Sequence, residues 1–278
     1  MTVRPMRAQD VEAAFDVQRR AVVGLSERMG RPPWDMPSGR GLLRLRHLLA
    51  TDPDSCWVHE GEQGVDGVAQ ALVRDGTWFL SLLMVDPPVQ GTGVGAALLE
   101  ASLSTSTDRS WITSTDDPAA LRRYGRAGFD LLPSYNATGP LDRALLPATP
   151  GVRTGSYAGD VDLVDRVLRH CRGAGVQGDL AFAEAVGLQL LVHDDGFALV
   201  RPGAIAWLAA TDIGAGRDLL VAAVAEAGEG AEVDWLTADQ QWAIQVCLDL
   251  RLSLRAGATV CLRGQQLRGA YLPNGALG

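Results

Sequence analysis

The chain has 278 residues, of which 47% are apolar and 21% charged, and its mean hydropathy is +0.05. This composition excludes an intrinsically disordered protein and suits one large domain or two of ordinary size. The formal charge of −8 argues against a nucleic-acid or anionic-membrane partner, since both require a basic surface. All 25 basic residues are arginine, which excludes a Walker phosphate loop, a Schiff-base lysine and a lysine general base.

The sequence has no apolar run of the roughly 18 residues that a membrane helix requires, and its start lacks the apolar stretch of a signal peptide. The four cysteines are far apart and form no Cys-x-x-Cys pair, so we expect neither disulfides nor a bound metal. These features predict a cytoplasmic protein with reduced thiols.

The predicted elements of the first 147 residues alternate between helices and strands. Apolar residues recur at helical spacing in four segments, 10–23, 39–49, 95–107 and 118–127. Runs rich in β-branched and aromatic residues predict five strands, 56–59, 68–73, 78–85, 111–115 and 129–132. The alternation predicts an α/β layered domain with a mixed sheet.

A Pro- and Ala-rich stretch, ALLPATPG at 144–151, predicts a linker between two similar halves. The first half opens VRPMRAQDV and the second VRTGSYAGDV; both continue into an amphipathic helix. Later, GVAQALVRDGTWFLSLLMVD is matched by GFALVRPGAIAWLAATD, with Asp212 minus Asp86 giving an offset of 126. We therefore predict a duplication, with a first repeat at 1–147 and a second at 151–278.

The strongest local signal is FLSLLMVDPPVQGTGVGAALLEAS. An apolar strand stops at Asp86-Pro87-Pro88, and a glycine-rich turn then leads directly into an Ala/Leu helix. Glycines allow a ligand to approach the backbone, and amides at a helix N-terminus favour a phosphate group. The glycines at 91, 93 and 95 do not fit the Rossmann spacing, and for the glycines alone an ordinary surface turn is the alternative.

This Gln-x-x-Gly-x-Gly loop resembles the acetyl-CoA loop of the GNAT acyltransferase superfamily. Downstream, DPAALRRYGRAGF resembles the family's Asn-x-x-Ala-x-x-Leu-Tyr-x-x-x-Gly-Phe stretch, with Asp117 in place of Asn and Arg123 in place of Leu. The resemblance covers residues 1 to about 147; the second repeat shares only the order of elements. It implies an α/β (α+β type) chain of two tandem GNAT-like domains, each with a mixed, mostly antiparallel central sheet flanked by helices.

The resemblance also implies the cofactor and its site. Acetyl-CoA would be the co-substrate, held by the end of the central strand and by the loop: Leu83, Met84, Val85, Gln90, Gly91, Thr92, Gly93, Val94, Gly95 and Ala96. Tyr124 would protonate the departing CoA thiolate, with core packing as the alternative role. The second repeat has only seven positions from Asp212 to Leu219, against twelve from Asp86 to Leu98, and is expected to be degenerate.

The acceptor should contact the insertion 23–54, which the second repeat lacks. Trp34 and Glu27 in this insertion suit a cationic amine, whereas an ordinary polar loop is the open alternative. The general base is not identified: His59, Glu60 and Asp116 are titratable residues near strand ends, and a water chain would also serve. The sequence thus predicts an N-acetyltransferase acting on a small-molecule or peptide amine, or alternatively a non-catalytic acyl-CoA-binding or regulatory protein.

Overall fold

The computed structural model describes residues 2–30, 38–176 and 178–278. The chain folds into two compact units. The first unit consists of Met1–Val73 and Trp78–Thr107, and the second of Arg74–Thr77 and Asp108–Gly278. Among the described residues, no helix combines the length and the apolarity that crossing a bilayer requires.

The first unit contains a sheet with the strand order β1-β2-β3-β4, and three helices. The elements in chain order are β1 (Thr2–Pro5), α1 (Val11–Arg28), α2 (Ser38–Thr51), β2 (Cys56–Gly61), β3 (Gly64–Arg74), β4 (Thr77–Val85) and α3 (Val94–Leu103). β1 and β3 both run antiparallel to β2.

Helices α2 and α3 cover opposite faces of this sheet, as adjacent residues of β3 demonstrate. The buried side chain of Gln70 donates to the carbonyl of Leu45 in α2, whereas Ala69 packs against Val94 and Leu98 of α3. Successive residues of a strand point to opposite faces, so the two helices lie on either side. The close approach of α3 requires Gly67, where a Cβ would lie only 2.7 Å from Leu98.

The second unit contains the strand order β5-β12-β6-β11-β10-β9-β8-β7, with β13 paired to β10. Helices α5 and α7 pack on β9 and β10, and α8 packs on β11 and β12. The elements are β5 (Arg109–Ser114), α4 (Pro118–Arg126), β6 (Asp130–Thr138), β7 (Arg153–Thr154), α5 (Val161–Arg172), α6 (Asp179–Ala185), β8 (Gln189–His193), β9 (Gly196–Arg201), β10 (Ala204–Ala210), α7 (Ile213–Ala227), β11 (Glu232–Thr237), α8 (Gln241–Asp249), β12 (Ser253–Arg263) and β13 (Ala270–Leu272).

The two repeats exchange strands within this sheet. β12 from the second repeat lies between β5 and β6 of the first, and β6 in turn lies between β12 and β11 of the second. β12 is antiparallel to both its neighbours, and β6 is antiparallel to β11. The compact units follow this strand pairing, whereas the boundary at 147–151 remains a prediction about the repeated order of elements along the chain.

An arginine–aspartate pair recurs at the start of each repeat. Arg4 donates to both carboxylate oxygens of Asp10 at 2.7 and 3.0 Å, and Arg153 does the same to Asp160 at 3.1 and 2.5 Å. The guanidinium of Arg4 lowers the pKa of Asp10, and that of Arg153 lowers the pKa of Asp160. The repeated Val-Arg…Asp-Val pattern therefore encodes the same ion pair twice, joining a short strand to the following helix.

The predicted fold, mixed and mostly antiparallel sheets flanked by helices, is confirmed. Each repeat also begins with a short strand, β1 or β7, that the sequence did not reveal because so few residues carry no periodicity. α3 ends at Leu103 instead of 107, since the hydroxyls of Ser104 and Thr105 bind the carbonyls of Ala101 and Ser102. β6 is longer than predicted because exchange gives it two partner strands.

A bulge in β11 holds a carboxyl group with a perturbed pKa. The register against β6 shifts between Val233 and Leu236, and Trp235 has a left-handed φ of +53°. Asp234 lies in this bulge, and burial, reinforced by the charge of Glu232, raises its pKa to about 7. Because the pKa in the unfolded chain is lower, about 3.9, the native state binds the extra proton between about pH 4 and 7.

The free energy of unfolding should therefore fall as the pH rises through this window. Asp234→Asn removes the titration, so we expect the variant to gain about 1–3 kcal/mol relative to wild type at about pH 8, but little at about pH 4. Urea unfolding of both proteins at the two pH values measures this difference. The same pH dependence in both proteins would contradict the assignment to Asp234.

Candidate active site

The end of β4 is anchored to the rest of the first unit by Asp86. Its amide donates to the carbonyl of Asp66 at 2.8 Å, and its carboxylate accepts from Arg20 of α1 at 2.7 to 3.0 Å. The carboxylate raises the pKa of Arg20, as expected for a guanidinium in a close ion pair. Pro87 packs on the same helix at Gly24, where a Cβ would lie 3.0 Å from its ring. These contacts of Asp86 and Pro87 fix the position at which the glycine-rich turn begins.

Two side chains of the turn hold it against its own backbone. Gln90 donates from its amide to the carbonyl of Val85 at 2.8 Å, and the hydroxyl of Thr92 donates to Val89 at 2.7 Å. Both side chains are thereby engaged within the turn. Gln90 and Thr92 are positioning residues that shape the backbone around Gly91.

The backbone of the turn adopts the left-handed conformation at two of its glycines. Gly91 has a φ of +82° and Gly93 a φ of +100°, and Gly93 caps the N-terminus of α3. A Cβ at either position would meet no atom within 4 Å, so the concave side is open. Within the described ranges, the amides of Gly91, Thr92 and Gly93 donate to no other group. A phosphate oxygen is the ligand that such a set of amides fits.

The first turn of α3 follows directly after these three amides. Val94 is 8% exposed and packs its side chain into the core, and Gly95 is buried beside it. The amide of Ala96 donates to the carbonyl of Gly93 at 2.9 Å and is therefore engaged within the helix. The amide of Ala96 is therefore not available to a ligand, unlike those of 91–93.

The end of β4 is less buried than the rest of the strand, at the residues that were expected to contact acetyl-CoA. Burial along β4 is complete from Thr77 to Leu82 and becomes partial at Leu83, Met84 and Val85. The side chains of Leu83 and Val85 pack toward α3, on the face that carries Val94. Leu83 and Val85 therefore contribute to the core, and all three residues retain surface at the end of the strand.

Tyr124 belongs to the second unit and lies in the last turn of α4. It is 5% exposed, and burial raises the pKa of its phenol well above the usual value. The phenol is therefore protonated at neutral pH, which is the state that a proton donor needs. Its hydroxyl makes no hydrogen bond to the part of the chain that the structure describes.

Of the two predicted acceptor residues, Glu27 is exposed in the last turn of α1. Trp34 lies outside the described residues.

Two of the titratable residues considered for the general base are engaged by other side chains. His59 is only 7% exposed, because it lies on the face of the sheet that α3 covers. Its Nδ1 lies 2.5 Å from Asp66 Oδ1. His59 is therefore a buried residue and not a solvated surface histidine. Glu60 binds Arg4 at 2.6 Å. Among the described residues, no cluster of three His, Cys, Asp or Glu side chains is arranged to hold a metal.

Two further residues were not predicted from the sequence: Arg20, which holds the start of the turn, and Gly67, which lets α3 approach the sheet. Arg20 is separated from Asp86 by 66 positions, and no local pattern marks such a pair. Gly67 directly precedes the predicted strand 68–73 and lies inside β3 in the structure, where a glycine is a signal of close backbone approach.

The sequence profile of the acetyltransferase (GNAT) family matches residues 25–129. No curated protein sequence matches the chain. Solved structures with the same fold include a proposed acetyltransferase from Pyrococcus horikoshii, with a TM-score of 0.74 at 16% identity, covering 100% of this chain and 95% of that one. A GCN5-related N-acetyltransferase from Sphaerobacter thermophilus has a TM-score of 0.58 at 15% identity, covering 96% of each chain.

A tandem GNAT protein from the clavulanic acid biosynthesis pathway is similar along almost the whole chain. It has a TM-score of 0.59 at 17% identity, with 94% of this chain and 97% of that one covered. The tandem arrangement of the fold is therefore shared by a solved two-domain structure.

Proposed function

Because the profile of the acetyltransferase (GNAT) family matches residues 25–129 and the chain shares the fold of a tandem GNAT protein, we propose that the protein transfers the acetyl group of acetyl-CoA to a primary amine. The observation that carries this proposal is the open set of amides at 91–93, leading into α3 through the left-handed Gly93. These donors fit the pyrophosphate of acetyl-CoA, and the backbone of Leu83, Met84 and Val85 is proposed to hold its acyl-pantetheine arm.

The proposed reaction is direct attack without an acyl-enzyme. A neutral amine nitrogen forms a bond to the thioester carbonyl carbon, and the carbon–sulfur bond then breaks with its electron pair leaving on sulfur. Tyr124 supplies a proton to that thiolate and regains one from solvent, and the amine loses a proton to solvent. All four cysteines are buried, and burial raises the thiol pKa of each to about 12, which argues against a cysteine nucleophile.

Binding of acetyl-CoA tests the loop directly. Gly93→Val should weaken affinity at least about tenfold, because a β-branched residue is strained at a φ of +100° and covers the amides. Gly64→Val is the matched control: its φ is +110°, a Cβ there also meets open space, and it is the first residue of β3, directly after the β2–β3 turn. Calorimetry of both variants should show lost affinity only for Gly93→Val, with one site per chain in wild type.

Equal affinity for wild type and Gly93→Val would remove the loop from the binding site. Binding without turnover over a panel of amines, aminoglycosides and peptides would instead favour the alternative function, an acyl-CoA-binding or regulatory protein. The contacts that engage His59 with Asp66 and Glu60 with Arg4 are the observation in favour of that alternative.

We further propose that Glu27 and Trp34 recognise the acceptor as a cationic amine. Trp34→Ala and Glu27→Gln should each raise the KM for the amine severalfold and leave that for acetyl-CoA nearly unchanged. Asp16→Asn is the control for Glu27, since Asp16 is an exposed carboxylate of the same helix paired with Arg19. Equal changes in both Michaelis constants would indicate a structural role only.

A further inference from the structure

One edge of strand β10, in the second unit, pairs with two different strands, β11 and β13. β9 pairs with the other edge along the whole of Ala204–Ala210. β11 pairs in parallel only at Ala204, opposite Glu232, whereas β13 takes up the edge further along. β10 and β11 therefore diverge, and β13 fills the space that opens between them.

Residues 270–278, which we call the closing segment, are deeply buried in this space. Tyr271 is fully buried and accepts a hydrogen bond from the indole of Trp207 at 3.1 Å. Leu272 and Leu277 are 3% and 0% exposed. Opposite them, the left-handed Trp235 brings its ring so close to Gly275 that a Cβ there would lie 2.7 Å away.

Buried polar groups also bind the closing segment. Arg172, itself 2% exposed, donates to the carbonyl of Leu277 at 2.7 Å and stacks on the ring of Trp207 at 4.9 Å. The side chain of Asn274 donates to the carbonyl of Ala206 at 2.9 Å and accepts from the amides of 276 and 277. The space between β10 and β11 thus has specific donors and acceptors for an extended strand that ends in a turn.

The N-terminus of α7, the helix that follows β10, is also occupied by groups of the same chain. Asp212 directly precedes α7, and its carboxylate accepts from the amide of Ala215 at 3.0 Å. Seven residues separate Asp86 from α3 in the first repeat, so no comparable cap forms there. Gly216 lies against Ala270 of the closing segment, since a Cβ would come within 2.4 Å of it.

We infer that the second repeat is a peptide-binding site for an extended strand, occupied by the closing segment of the same chain. With the offset of 126, Leu83 and Met84 correspond to Ala209 and Ala210, which pair with Tyr271 and Ala270. The closing segment thus lies where the proposed function places the acyl-pantetheine arm in the first repeat, and the inference rests on that function for this correspondence. The carboxylate of Asp212 takes the place of a phosphate group.

Cutting the loop before the closing segment in the folded chain tests this inference. A protease recognition sequence inserted after the exposed Gln266 allows the cut. Native mass spectrometry should show the segment retained, and a fluorescent peptide of residues 268–278 should exchange into the cut protein at one per chain. The same peptide with Tyr271→Ala should bind roughly 100-fold more weakly, because a buried aromatic ring is lost. Saturating acetyl-CoA should not displace either peptide.

Three results would overturn the inference: release of the segment without a change in Tm, equal binding of the Tyr271→Ala peptide, or displacement by acetyl-CoA with a second equivalent bound. Failure of the proposed function alone would look different, since acetyl-CoA would not bind the uncut chain while the peptide still exchanged.

A measurement on the unmodified chain covers the case in which the insertion prevents folding. Hydrogen exchange of the amides in β13 should be as slow as that of β10, because the two strands are paired. Fast exchange confined to β13 would show that the closing segment is not held and would refute the inference.

Discussion

Tyr124→Phe is expected to lower kcat by one to four orders of magnitude while leaving acetyl-CoA affinity and Tm nearly unchanged. Tyr124 is 5% exposed, and phenylalanine preserves the buried ring while removing only the hydroxyl. The hydroxyl has no hydrogen-bond partner in the described parts of the chain, so its removal leaves no buried group unsatisfied. The proton that the proposed mechanism delivers to the CoA thiolate is lost with it.

Steady-state acetylation, acetyl-CoA calorimetry and thermal melting of the same preparations measure the three quantities. Tyr135→Phe is the matched control, since Tyr135 is 49% exposed on β6 and has no proposed role in the chemistry. Undiminished kcat in Tyr124→Phe would exclude Tyr124 as the acid. A large fall in Tm with kcat unchanged per folded molecule would assign it to core packing.

Asp179→Ala should lower the free energy of unfolding of the second unit by about 3–5 kcal/mol. Asp179 is fully buried, and Arg74, at 3% exposure, donates to its two oxygens at 3.0 and 2.7 Å. Arg172 lies 4.0 Å from the same carboxylate. Removing the anion leaves two buried guanidinium groups without it, and desolvated cations are costly to keep in a protein interior.

Urea unfolding followed by tryptophan fluorescence measures this loss. Asp249→Ala is the control, because that carboxylate is exposed and accepts from Gln245 alone among the described residues, so stability should change by less than about 0.5 kcal/mol. The double variant Arg74→Met/Asp179→Leu should recover much of the loss, since apolar residues can replace a buried ion pair. A full loss in the double variant would mean that packing, and not charge, dominates at this position.

Local chemistry let much of the candidate site be predicted from the sequence. Asp-Pro-Pro ends a strand and glycines at 91 and 93 admit positive φ, as observed. The start of the helix at Val94 was predicted to within one residue. These features depend on neighbouring residues only, which is why the sequence reveals them. The roles proposed for Leu83 to Val85 and for Tyr124 remain predictions.

Pairings between distant residues could not be predicted in this way. The Arg20–Asp86 pair joins residues 66 positions apart, and the Arg74–Asp179 pair joins residues 105 positions apart. The exchange of β6 and β12 and the placement of the closing segment also depend on residues far apart in the chain. His59 shows the same limit, because a strand-end histidine is exposed or buried according to what packs over it.

The sequence by itself determined that each repeat is built of strands and helices in the same order, and that only the first carries a glycine-rich turn before its third helix. The tertiary structure decided which strand fills each position in the sheet and what occupies the space between β10 and β11. The physical reason is that helix periodicity, turns and caps are set by residues a few positions apart. Strand pairing and burial depend instead on edges and surfaces that exist only after the chain has folded.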